Sequence, residues 1–112
     1  MSGVWHRFSN IETQMKTGKI SEILRPSEAR VSQPDEEVRY LLTDSRRLAE
    51  PRGTVFFAIT TKRNSGVKYI DELYKKGVRS FVVPTDCSVE YLDVNVWHVD
   101  DTVRAMQVYD YL

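Results

Sequence analysis

The chain predicts an α/β fold of three layers: a small mixed sheet with helices on both faces. Three observations carry this expectation. Residues 54–59, TVFFAI, form a continuous apolar, β-prone run of the kind buried on both faces of a central strand. Residues 68–76 put Tyr69, Ile70, Leu73 and Tyr74 on one helical face, with Asp71, Glu72, Lys75 and Lys76 outward. Residues 78–83 then supply a second apolar run ended by Pro84, so strand, helix and strand make a βαβ unit whose crossover is expected to be right-handed.

The remaining elements follow in order. Residues 1–16 show no sustained period, although Trp5, Phe8 and Ile11 are spaced for one helical turn, and they read as an N-terminal arm. Residues 17–112 read as the domain. Ile20, Ile23 and Leu24 fall at i, i+3, i+4 ahead of Pro26, predicting a short amphipathic helix stopped by that proline. The polar stretch 27–37 reads as a connecting loop. Val38, Tyr40 and Leu42 alternate with Arg39 and Leu41, as in a strand running into Thr43. Pro51 and Gly53 mark a turn before the central strand. Gly77 stands where a left-handed helix cap belongs. Residues 89–92 suggest one irregular helical turn, and residues 94–99 a last short strand. Asp100, Asp101 or Thr102 can cap a final helix with Val103, Met106 and Tyr109 on one stripe. That helix pattern reaches Leu112 without a stop signal, which suggests a longer polypeptide.

Composition limits the function classes. The 112 residues allow one domain and a modest core. Sixteen Lys and Arg balance sixteen Asp and Glu, so no global field draws the chain to nucleic acid or an acidic membrane, and any anion binding must be local. No apolar run approaches the roughly 18 residues that span a bilayer, and residues 1–10 lack a hydrophobic signal core. A cytoplasmic protein without membrane insertion is the expectation. The lone Cys87 has no disulfide partner and no metal-ligand companions at a usable spacing, so no metal site is expected.

Catalytic candidates are few. Two histidines, His6 and His98, and one cysteine assemble no nucleophile and base, and the carboxylates at 35–37 and at Asp100 and Asp101 sit in loop or cap contexts. Gly18-Lys19 is no phosphate loop, because the pattern needs glycine at position 13 and a hydroxyl at position 20, where the chain has Thr13 and Ile20. On this chemistry the chain is a binding module with no catalytic residue.

Two polar loops about twenty residues apart remain. The first, Thr43-Asp44-Ser45-Arg46, leaves the strand at 38–42; Asp44 and Ser45 also suit a plain strand exit with local side-chain bonds. The second, residues 60–66, gathers Lys62, Arg63, Asn64 and three hydroxyls just before a helix, an inventory that suits an anionic, hydrogen-bonding small molecule such as a nucleotide diphosphate. A solvated basic turn is the plain alternative. If the two strands are sheet neighbours, both loops open on one edge, where ligands of open α/β sheets sit.

The runs LLTDSRR, TVFFAI, RNSGVKYIDELY and GVRSFVV, followed by VDDT at 99–102, resemble the N-terminal domain of the Mur ligases. These are the cytoplasmic ATP-dependent enzymes that build the peptide stem of peptidoglycan. The resemblance covers roughly residues 19–112. It is strongest to the members that add D-alanyl-D-alanine to UDP-N-acetylmuramoyl-tripeptide, and the TKRN loop is similar to the form fused to an alanine racemase. It implies a domain holding the UDP end of the UDP-N-acetylmuramoyl-peptide substrate. By position, Thr43 and Ser45 would contact uracil or ribose, and Lys62, Arg63 and Asn64 would line the nucleotide. Asp44, Arg46 and Gly66 would support the loops. The chain departs from the family pattern at Thr61, Ser65 and Val67, where a glycine, an acid and a histidine are usual. ATP and Mg2+ would belong to the parent ligase's central domain, the incoming dipeptide to a third domain, and no cofactor to this chain. Two rivals remain: a regulatory or protein-interaction module on the same fold, as in the N-terminal domain of HPr kinase, and an RNA-binding module using Arg46, Arg47, Lys62 and Arg63.

Overall fold

The computed structural model describes residues 15–111. Trp5, His6, Phe8 and Ile11 lie outside the described residues. In order, the chain forms β1 (Met15–Lys16), α1 (Thr17–Leu24), β2 (Glu28–Val31), β3 (Glu37–Val38), β4 (Tyr40–Leu42), β5 (Thr54–Phe57), α2 (Ile70–Lys75), β6 (Ser80–Pro84), β7 (Asn95–Val99) and α3 (Thr102–Tyr111). Single 3-10 turns occupy Ser45–Arg47 and Gly66–Tyr69.

A five-stranded mixed sheet runs in the order β2-β7-β6-β5-β4, with β4 to β7 mutually parallel and β2 antiparallel at one edge. The three connections among the parallel strands all pack on one face. Leu48 comes from the first connection, Tyr69 and Tyr74 from the second, and Val89 and Tyr91 from the third; all lie against a core containing Phe56, Leu73 and Phe81. The other face is covered by α1 and α3, whose Ile20, Ala105 and Tyr109 pack with Val55, Phe57 and Trp97. The central strand feeds both cores because side chains alternate across it, so all four of its residues are buried. Three layers result, as the sequence predicts.

The helix ends follow local chemistry. Arg25, at φ 50°, closes α1 with its N–H on the Ser21 carbonyl, and Pro26 prevents continuation. Gly77, at φ 110°, closes α2: its N–H donates to the Tyr74 carbonyl and that of Val78 to the Leu73 carbonyl, a Schellman pair. Asp101 caps α3, accepting from the Arg104 N–H at 3.0 Å. The inward stripe of α3 is Thr102, Ala105 and Tyr109, with Met106 and Val103 half-buried beside it, one step rotated from the expected one.

Three expectations need correction. The stretch 27–37 is not all loop: β2 pairs with β7 from Glu28 beside His98 to Val31 beside Asn95, and β3 pairs with β1. As an edge strand with no fully buried residue, β2 lacks the apolar signature that pattern reading needs, and its charges suit an edge. The strand expected at 38–42 is broken at Arg39, where the N–H groups of Arg39 and Tyr40 both donate to the Gly53 carbonyl, at 2.7 and 3.0 Å. No helical turn forms at 89–92. That segment is strapped down by side chains instead: the Arg30 guanidinium donates to the Val89 and Tyr91 carbonyls at 2.8 and 3.0 Å, and Tyr91 stacks on Tyr74 at 3.6 Å.

Candidate functional site

Because β4 and β5 are parallel neighbours, with Leu42 beside Phe56, both chain exits open at the carboxyl edge of the sheet. The loops of interest are therefore adjacent.

The first loop is built around Asp44. One carboxylate oxygen accepts from the Arg46 N–H and Nε, each at 3.0 Å; the other accepts from Arg46 Nη2 at 3.0 Å, with Arg47 Nε 3.9 Å away. The side-chain bond from Arg46, then its backbone N–H, holds the Asp44 carboxyl below its ordinary value. Asp44 thus caps the 3-10 turn and neutralises the nearest guanidinium. Ser45 is carried into the turn's interior, 7% exposed, while Thr43 stays exposed. Thr43, Asp44 and Arg47 form one end of an open cleft of about 670 Å³ that runs beside Tyr40 and Leu41 to Ala49 and Thr54.

The second loop is closed at its base and open at its tip. Ile59 accepts from the Gly66 N–H, Thr60 bridges to Ser65, and the Asn64 carbonyl accepts from the Thr61 N–H at 2.8 Å. Gly66 is required by close approach: a Cβ there would lie 3.0–3.1 Å from Ile59 N and from Cα and C of Ala58. Asn64 Oδ1 accepts from the Ser65 N–H, and Ser65 Oγ from the Val67 N–H, so two of the loop's polar side chains serve its own turns. Lys62 and Arg63 are exposed and enter no ion pair among the described residues.

Thus the loops that carry Thr43, Ser45, Lys62, Arg63 and Asn64 leave neighbouring parallel strands at the same edge of the sheet, with Asp44, Arg46 and Gly66 inside them and Ser45 turned inward. One contact escaped sequence reading. Thr60 N–H donates to Thr102 Oγ1 at 3.0 Å, joining the second loop to the start of α3. Since Asp101 takes the capping role, the Thr102 hydroxyl is available, and only the pairing of those adjacent residues hinted at it.

Elsewhere, His98 is half-buried, with Nδ1 lacking a partner among the described residues. Cys87 lies in the same groove; burial, then the charge of Asp86, pushes its thiol up, away from nucleophilic thiolate. No group of three His, Cys, Asp or Glu among the described residues can hold a metal ion, and no helix there is long and apolar enough to cross a membrane.

No protein-family model matches the chain, and no curated protein matches it by sequence. Solved structures do. A UDP-N-acetylmuramoylalanyl-D-glutamyl-2,6-diaminopimelate--D-alanyl-D-alanyl ligase from Acinetobacter baumannii superposes with TM-score 0.66 at 18% identity, covering 82% of this chain and 20% of that one. A crystal structure of MurF from the same organism superposes with TM-score 0.70 at 18% identity, covering 86% of this chain and 20% of that one. The chain shares its fold with MurF. It spans about a fifth of the MurF chains it matches. The shared fold is the mixed α/β architecture described above.

Proposed function

We propose that this chain is the UDP-binding domain of an ATP-dependent peptidoglycan-precursor ligase, of the type that adds D-alanyl-D-alanine to a UDP-N-acetylmuramoyl-tripeptide. The reading is supported most by one observation: two exposed cations, Lys62 and Arg63, without an ion pair among the described residues, stand in the loop beside the one that carries Thr43 and the inward-turned Ser45, on a fold found in MurF. A nucleoside diphosphate presents the complementary groups, a polyanion next to a ribose and a base rich in hydrogen-bonding atoms.

In this reading Lys62 and Arg63 face the diphosphate, and Thr43 and Ser45 meet uracil or ribose. Asn64 adds its free amide N–H groups, and Asp44 and Arg46 hold the first loop in shape. The domain binds and orients without catalysing. Gly18-Lys19 is no ATP phosphate loop, since residues 13 and 20 break that pattern, and in this reading ATP and Mg2+ bind elsewhere. They belong with further domains of a parent ligase, acting in the cytoplasm on a nucleotide-activated sugar.

Calorimetric titration with UDP, UMP and uridine tests the reading. Affinity should fall in that order and weaken with salt, because exposed charges are screened. A single domain keeps only part of the substrate's contacts, so a dissociation constant on the order of 1 mM, about −4.1 kcal/mol, would suffice. Equal affinity for UDP and uridine, or none for any of the three, contradicts it.

A further inference from the structure

We infer that Thr102, the first residue of α3, is a positioning residue for the loop at 60–66. The inference rests on the UDP-binding reading for its functional consequence, but its structural part stands on the loop alone.

The chain leaves the sheet in a defined way. Ala58 N–H still donates to the Val82 carbonyl of β6 at 2.8 Å, and Ile59 N–H turns back to the Phe57 carbonyl at 2.8 Å. Thr60 is the next donor and has left the ladder. Its N–H goes to Thr102 Oγ1, in the helical layer over the other core. Thr102 is 3% exposed and so presents a fixed acceptor, whereas Thr60 is exposed, so removing the acceptor costs about one net hydrogen bond rather than a buried unsatisfied donor. The hydroxyl is free for this duty because Asp101 caps α3 through both its side chain and its carbonyl, on Arg104 and Ala105.

The far side of the loop is pinned separately, by Gly66 against Ala58 and Ile59. Between the pins stand the Thr60 to Ser65 bridge and the exposed tip with Lys62 and Arg63. Thr102 therefore sets where the two cations stand relative to the sheet edge without touching a ligand itself. It also couples the start of α3 to the rim.

Thr102→Val keeps the shape and deletes the acceptor; Thr102→Ser keeps the acceptor. In the ligand-free protein, amide exchange at 60–66 should speed up about tenfold in Thr102→Val, the scale of one net hydrogen bond, while β5 and β6 keep wild-type protection. UDP affinity should fall several-fold, and Thr102→Ser should restore both. Thr102→Ala removes the same acceptor and replaces valine if the latter fails to fold. Wild-type exchange at 60–66 in a folded Thr102→Val or Thr102→Ala protein overturns the inference. Failure of Thr102→Ser to restore protection also overturns it. Should the wild type show no UDP affinity while the loop still loosens in the variants, the anchoring stands and the ligand reading falls.

Discussion

The two loops at the carboxyl edge use charge in opposite ways. In the first, the carboxylate of Asp44 takes up Arg46 and approaches Arg47, so the loop's charge is spent on its own shape. In the second, the polar side chains of Asn64 and Ser65 fix the turn, and Lys62 and Arg63 stand at the tip without an ion pair among the described residues. A rigid loop displaying the Thr43 hydroxyl thus sits beside a pinned loop displaying cations. This division separates shape recognition from charge recognition, and it specifies which substitutions should damage folding and which should damage binding.

The largest effect is expected at Gly66. Alanine there meets backbone atoms of Ala58 and Ile59 that cannot swing aside, so Gly66→Ala should destabilise by about 1–3 kcal/mol, the usual cost of overpacking, and displace the cationic tip. Urea denaturation checks the first part and UDP titration the second. A variant with wild-type stability would show that the close approach is not obligatory.

The cations sharpen the contrast. Replacing Lys62 and Arg63 together by alanine should lower UDP affinity about tenfold or more, since hydrogen bonds to charged groups are the stronger ones. The denaturation midpoint should not move, because neither side chain holds the fold together. Uridine affinity should stay the same, which separates loss of charge from loss of shape. Equal losses for UDP and uridine would erase the distinction between the loops.

The smallest effect is expected at Asp44. Its carboxyl is held below its ordinary value, chiefly through the Arg46 side-chain bond, so its contribution to stability is present above the unfolded value. That contribution is lost as pH falls through the lower folded value. The pair is exposed, so Asp44→Asn should cause only a slight drop in thermal midpoint at pH 7, and the drop should vanish at the acid end of the range. A difference that persists unchanged in acid would mean that the carboxylate charge does not hold the first loop.

How much of this was legible in the sequence depends on where each residue's information lies. β5, β6 and α2 declare themselves because continuous burial, helical spacing and Gly77 are local signals. The rim was legible too, as two polar loops after two apolar strands. β2 was not, because an edge strand of Glu28, Ala29, Arg30 and Val31 carries no burial pattern and is defined by its partner β7. The segment at 85–94 was missed for a related reason: its shape comes from Arg30, 59 and 61 residues away, reaching its carbonyls, and from Tyr74 stacking on Tyr91. Thr102 belongs to the same class. Its hydroxyl meets Thr60 across 42 residues, and no local rule tells a capping threonine from an anchoring one.

The most direct measurement is a UDP titration that follows the backbone amide signals of Ser45 and Asn64 together. The two loops acting as one site predict that both signals move along a single binding curve, with the strands beneath them unaffected. Signals that move with different dissociation constants, or a shift at one loop alone, would contradict it.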